Sequence, residues 1–325
     1  HRGARARQRA GGMSPAVAAQ ERRAGLWMAV GAFVIWGLMP LYWHLLKAVP
    51  SWQIVLHRIA WGAMLVSAWL LWQHGRGWLR AMLARPRVAA TLALTGVLIA
   101  FNWGLYIWAV NAGHVVETAL GYYINPLLNV VLGVALLHER LNRAQWAAVA
   151  LAACGVAWLT WQFGQPPWIA LALALSFGLY GLLRKLVPVD AVAGLGIESL
   201  YLLLPALAGL VWAEASGRSG FIGLGDAPAW GLGIDALLVV GGALTALPLI
   251  GFAYAVRRVP LSVVGFLQYI APTLQLLIGV LVFHEAFPRE RAVGFVLIWL
   301  GLAVFALDGW RRSRQPAATA PAAAG

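Results

Sequence analysis

The sequence predicts an all-α integral membrane protein of ten transmembrane helices, arranged as two inverted five-helix repeats. Three observations carry that expectation. The chain of 325 residues is 62% hydrophobic and only 11% charged; a soluble domain carries about 25% charged residues, so most of this surface cannot face water. Apolar stretches near the ~20 residues that a helix needs to cross a bilayer recur along the whole length. Chemically specific residues also recur between the two halves at a nearly constant spacing.

The spans fall near 25–46, 52–73, 88–110, 116–137, 144–161, 168–186, 192–213, 234–255, 261–283 and 292–310. Sheet is disfavoured, because lipid-exposed backbone must satisfy its own hydrogen bonds and these runs are too long for barrel strands. The layout is then a disordered basic N-terminal arm (1–24), a first repeat (25–161), a second repeat (168–310) and a disordered Ala/Pro-rich tail (311–325). His1 is no initiator, and Met13 is the expected biological start. The first span is too long for a cleaved signal peptide and lacks a small-residue cleavage site.

Leu41-Tyr-Trp-His-Leu-Leu-Lys-Ala-Val-Pro50 reappears as Leu179-Tyr-Gly-Leu-Leu-Arg-Lys-Leu-Val-Pro188, matching at six of ten positions with an offset of 138. Further on, Tyr123-Ile124, Pro126, Gly133, His138-Glu139 and Gly155 match Tyr269-Ile270, Pro272, Gly279, His284-Glu285 and Gly301 at an offset of 146. The eight extra residues fit the longer segment between spans seven and eight. Proline, glycine and a His-Glu pair are not apolar filler, so the pattern reads as duplication. An odd number of helices per repeat inverts the second copy, the arrangement of transporters whose substrate sites lie near the midplane between repeats.

Nineteen of the 24 Lys and Arg residues fall on one face, four on the other, and Arg58 lies within a span. The positive-inside rule therefore puts both termini in the cytoplasm of a multi-pass inner-membrane protein. Because the net charge of +13 is scattered over short loops, no nucleic-acid partner is expected. The lone Cys154 excludes an intrachain disulfide.

Ionisable and polar residues inside spans are the functional candidates. In span two, His57 and Arg58 either line a cavity or, respectively, pack on a neighbouring helix and snorkel to headgroups; Trp61 shares the face of His57. In span three, Gly96, Ala100 and Gly104 form a small-residue packing stripe, while Asn102 and Tyr106 occupy another face. Span four carries Tyr122, Tyr123, Asn125, Pro126 and Asn129, and span nine repeats the device with Gln268, Tyr269, Pro272 and Gln275. Each proline frees a backbone carbonyl one turn earlier, and paired Pro-interrupted helices in two repeats point to a transport site. Tyr42, Trp36 and Trp103 complete the cavity candidates. Among the 18 Trp residues, Trp27, Trp52, Trp72, Trp168 and Trp310 sit at span ends as an interfacial belt.

Glu139 and Glu285 end spans four and nine and read either as gate contacts to an arginine or as solvated interfacial groups. Glu117 suits the positive end of span four, and Asn142 with Gln145 suits a capping box starting span five. Glu198, the acid well inside span seven, is the candidate for proton coupling.

Ala32-Phe-Val-Ile-Trp-Gly-Leu-Met-Pro-Leu-Tyr-Trp43, His57-Arg58-Ile-Ala-Trp61, Asn102-Trp103, Ile107-Trp-Ala-Val-Asn111, Leu120-Gly-Tyr-Tyr-Ile-Asn-Pro-Leu-Leu-Asn-Val-Val-Leu-Gly133 and Phe266-Leu-Gln-Tyr-Ile-Ala-Pro-Thr-Leu274 together resemble RarD-type permeases, of the EamA group in the drug/metabolite transporter superfamily. The likeness covers roughly residues 25–310. It implies a permease, associated with chloramphenicol resistance, whose natural substrate is poorly defined. Where that family is expected to carry Gly-Glu, this chain has His138-Glu139 and His284-Glu285.

The partners expected are a small-molecule substrate and the lipid bilayer, with no metal and no cofactor. No metal-ligand spacing and no phosphate loop appears, so an enzyme is disfavoured. A channel, or a non-transporting scaffold or sensor, competes with the permease reading.

Overall fold

The computed structural model describes residues 15–112, 114–164, 166–224, 227–284 and 289–313. Among them the chain forms helices α1 (Pro15–Leu45), α2 (Ser51–His74), α3 (Gly77–Leu83), α4 (Pro86–Asn111), α5 (Val115–Ala135) and α6 (Arg143–Phe163). Then follow α7 (Trp168–Leu186), α8 (Ala191–Ala215), α9 (Leu232–Arg258), α10 (Leu261–Gln268), α11 (Ile270–Leu281) and α12 (Arg289–Ser313). Among the described residues ten segments are long and apolar enough to cross a membrane, with α10 and α11 together making one of them and α3 lying between two. Their outer faces carry large apolar side chains such as Trp69, Leu204, Val211 and Leu281. A soluble monomer does not expose apolar surface on that scale.

Two boundaries differ from the expected layout. The first helix starts at Pro15, so residues 15–24 of the predicted disordered arm are helical. Proline suits a helix start, and Glu21 pairs with Arg258 of α9. The last helix also takes in Arg311 and Arg312 from the predicted tail, with Arg312 bonded to Asp308 one turn back.

By contacts the chain divides into two compact units, and neither follows one half of the sequence. One unit comprises residues 1–36, 46–96 and 181–260. In it α2 packs against α8 and α9. The α2–α9 approach is close because Gly62 and Gly242 face each other: a Cβ on Gly242 would lie 2.6 Å from the Gly62 nitrogen. The other unit comprises 37–45, 97–180 and 261–325. Here α5 packs on α10 and α6 on α12. Gly155 is 2.5 Å from the Gly294 carbonyl oxygen when given a Cβ, the small-residue contact by which helices associate without a hydrophobic driving force.

The predicted stripe on span three is not used along its length. Gly96 lies against the backbone of Glu198, whereas a Cβ on Gly104 would meet open space. One close crossing needs only the glycine at the crossing point.

Two helix ends repeat in detail. Leu136 and Leu137 N–H both donate to Leu132 O, and Val282 and Phe283 N–H both donate to Ile278 O. His138 and His284 follow with φ of 55° and 53°, the left-handed region that favours glycine. The residues expected to be glycine thus occupy the conformation that glycine would relieve. His138→Gly and His284→Gly are each expected to stabilise the protein by about 0.5–1 kcal/mol, read as a higher unfolding midpoint in detergent. A β-branched valine at either place is expected to lower it.

Candidate functional site

In the first unit one face of α2 carries Gln53, His57 and Trp61, four residues apart and so stacked along the helix. Gln53 and His57 are buried. Trp61 Nε1–H donates to His57 Nδ1 at 3.2 Å, which places the proton of a neutral His57 ring on Nε2. The ring of Phe221, from the segment between α8 and α9, lies 4.6 Å from His57 and 6.1 Å from Trp61. Arg58 turns to α9, where its Nε donates to Thr245 Oγ1 at 2.8 Å, an interhelical bond that neither alternative named. Thr245 in turn donates to Gly241 O. Trp36 packs 5.7 Å from Phe33 and 6.2 Å from Phe252.

The same unit holds a buried ion pair. Glu198 is 1% exposed and Arg184 is fully buried. Arg184 Nε stands 3.6 Å from Glu198 Oε1, and Thr95 Oγ1 donates to that oxygen at 2.6 Å. Arg184 Nη2 donates to Ala191 O at 3.0 Å. Room for the guanidinium exists because residue 194 is glycine: a Cβ there would stand 1.9 Å from Arg184 Nη1. A fully buried charge pair is costly to desolvate, so its retention within apolar spans needs a purpose.

Arg58 and Glu198 each tie their helix to a threonine of a neighbour: Arg58 of α2 to Thr245 of α9, and Glu198 of α8 to Thr95 of α4. Gly242 and Gly96 lie at those helix approaches.

In the second unit the polar residues of α5 meet those of α10 and α11. Asn129 Nδ2 donates to Gln268 Oε1. Tyr123 OH donates to Pro272 O, and Tyr269 OH to Tyr123 O. Both rings sit in a core cluster with Val156, Phe295 and Ile298, so their hydroxyls bind backbone carbonyls across the helix pair. Asn125 is buried, and its Oδ1 has no hydrogen-bond partner among the described residues. Pro126 is absorbed within one continuous helix. The second proline is not: Tyr269 separates α10 from α11, with Pro272 in the first turn of α11.

Glu139 has a role that neither expectation held. Its Oε1 accepts from Leu261 N–H at 2.6 Å, and its Oε2 from Ser262 N–H and Oγ–H at 2.9 and 2.7 Å. It therefore caps the start of α10, where backbone donors and the helix dipole favour a carboxylate. Gly133 leaves the space: a Cβ there would be 2.6 Å from Glu139 Oε2. The Asn142–Gln145 capping box forms as expected.

Asn102 Nδ2 donates to Leu173 O and Ser176 Oγ, both at 2.9 Å. Tyr106 is exposed, its ring 6.1 Å from that of exposed Tyr122. Trp103, Gln275 and Tyr42 are half-buried, with Tyr42 5.1 Å from Trp43. Glu285 and the side chain of Glu117 lie outside the described residues.

Sequence reading missed Arg184, Thr95, Gln53 and Phe221. Arg184 adjoins Lys185 at a span end and looks like a topology signal; only its partner, fourteen residues on in α8, marks it as internal. Phe221 lies in a loop, where periodicity carries no information.

Residues 23–161 match the sequence profile described as the EamA-like transporter family. A protein named RarD from Streptomyces exfoliatus is 45% identical, over 94% of this chain and 96% of its own. An uncharacterized transporter from Pseudomonas aeruginosa is 47% identical, over 90% of this chain and 96% of its own. A second protein from that organism, named chloramphenicol-sensitive protein RarD, is 35% identical over 89% and 95%. A crystal structure 22% identical to this chain matches with a TM-score of 0.65, covering 89% of this chain and 99% of that one. At that identity the likeness bears on the fold alone.

Proposed function

This chain belongs to the EamA-like transporter family as a RarD-type member, and on that footing we propose that it is a secondary permease moving small organic metabolites or drugs across the bacterial inner membrane by alternating access. That it is a multi-pass membrane transporter follows from its ten apolar helices and its transporter relatives. The observation that supports the finer reading is the pair of charges within spans, Arg58 and Glu198, each tied to a threonine of a neighbouring helix. A scaffold has no use for charges inside its spans, whereas a transporter uses them along a pathway.

The substrate class is aromatic or amphipathic: His57, Arg58 and Trp61 of the first unit offer a donor, a cation and an aromatic face on one helix. The name of one relative puts chloramphenicol among the first compounds to test. Glu198 is the candidate coupling acid, with Arg184 holding it in place.

The test is flux in proteoliposomes with and without a proton gradient, using chloramphenicol and a panel of aromatic metabolites. Flux is expected from the native chain, falling at least about tenfold in Arg58→Ala and in Trp61→Ala, the loss of about 1.4 kcal/mol of binding each. Undiminished flux in both variants removes this face of α2 from the site, and no flux of any compound argues for a scaffold.

A further inference from the structure

The segment between α8 and α9, which takes up the eight residues by which the repeat offset grows, is fastened to the face of α2 that carries His57. Gln53 Nε2 donates to Arg218 O at 2.6 Å, and Ile222 N–H donates to Asp235 Oδ2 at 3.2 Å. Between these ties the Phe221 ring is seated against His57 and Trp61.

Two features separate this seat from ordinary loop packing. Ile222 has φ 57°. A β-branched residue there is a true outlier, and such strain gathers at switch regions and ligand clamps. The second feature is unmet polarity on the side chains that hold this segment. His57 Nε2, Gln53 Oε1 and Asp235 Oδ1 have no hydrogen-bond partner among the described residues, though their side chains are only 2%, 0% and 6% exposed. Buried polar atoms are rarely left so. A hydrocarbon ring seated on a side chain with an unmet donor, in a segment tied by two side chains with unmet acceptors, leaves the polar chemistry of the place unused.

We propose that Phe221 is a plug: its ring holds the position where an aromatic substrate stacks on His57, and substrate binding there expels it. The favoured ligand is a planar aromatic molecule that both accepts and donates hydrogen bonds, meeting His57 Nε2 with an acceptor and Gln53 or Asp235 with a donor. This rests on the reading of the chain as a permease. The strain at Ile222 keeps the seated plug from being too stable to displace.

The experiment uses the full chain in detergent, with Cys154→Ala and Ser219→Cys, which leaves the Phe221 ring in place, and measures maleimide labelling of the single thiol. Ser219 is 1% exposed, so its thiol reacts slowly while the segment is seated. Adding 4-hydroxybenzamide, a planar ring with donor and acceptor, is expected to speed labelling about tenfold, and methyl benzoate, an acceptor only, to change it little. Adding Ile222→Gly relieves the strain of the seated form and is expected to slow basal labelling by about fivefold. A rate that 4-hydroxybenzamide leaves unchanged, or that Ile222→Gly fails to lower, overturns the proposal.

If the thiol variant does not fold, hydrogen exchange of the Phe221 and Ile222 amides in the native chain decides the same point. Those amides donate to Ser219 Oγ and Asp235 Oδ2; 4-hydroxybenzamide is expected to speed their exchange, and unchanged rates overturn the plug. Neither readout needs flux. A chain that releases its plug to the ligand yet moves nothing in liposomes refutes transport and leaves the plug standing.

Discussion

Replacing Arg184 by methionine is expected to destabilise the protein by about 3–5 kcal/mol, because it leaves the Glu198 carboxylate buried without its cation. Glu198 is 1% exposed and Arg184 fully buried, so water cannot take the place of either partner. Glu198→Leu alone is expected to cost a similar amount, since it strands the guanidinium. The double variant Arg184→Met/Glu198→Leu is expected to recover most of the loss, because two well-packed apolar side chains carry no desolvation penalty. Unfolding midpoints of the four proteins in detergent give the coupling directly. Strict additivity of the two single losses would mean that the charges do not interact and that Arg184 does not hold Glu198. The same double variant separates stability from function: a folded chain without the pair is expected to lose the pH dependence of its transport if Glu198 carries the proton.

Removing the carboxylate of Glu139 is expected to cost about 3 kcal/mol. Three hydrogen bonds to a charged acceptor end at this side chain, and such bonds are individually worth ~1.5–3 kcal/mol with incomplete additivity. Glu139→Ala strands the Leu261 and Ser262 amides at the start of α10. Glu139→Gln keeps one acceptor oxygen and is expected to lose about half as much. Hydrogen exchange localises the effect, with the first turn of α10 expected to exchange fastest in Glu139→Ala. A loss below about 1 kcal/mol, the range of an ordinary cap, would show that this contact is incidental.

The helices were legible in the sequence because hydropathy alone dictates them: a chain with so little charge and such long apolar runs has few other stable forms. The sequence repeat rests on proline, glycine and His-Glu recurring where apolar residues would otherwise drift, whereas the two compact units do not follow its halves. The family resemblance implies glycine where this chain has His138 and His284, and the left-handed backbone there is the physical reason that glycine suits both places. Helix partners were not legible. Every span is apolar on several faces, so nothing in its periodicity shows that α2 meets α8 and α9 or that α6 meets α12. Roles at the ends of spans were equally hidden. Glu139 looks like any interfacial acid until the amides of α10 are placed around it, and Arg184 looks like any topology signal until Gly194 opens a space for it. Candidates within spans fared differently by type. His57, Arg58 and Glu198 each acquired a specific partner, while the Tyr123 and Tyr269 hydroxyls went to backbone carbonyls inside a packed core.

Counterflow in proteoliposomes tests most directly whether this chain works by alternating access. Vesicles preloaded with unlabelled chloramphenicol at high concentration and diluted into labelled compound at low concentration are expected to accumulate label transiently above its equilibrium level, because a carrier returning loaded exchanges one molecule for another. Label that rises smoothly to equilibrium, at a rate indifferent to preloading, would contradict a carrier and point to a channel.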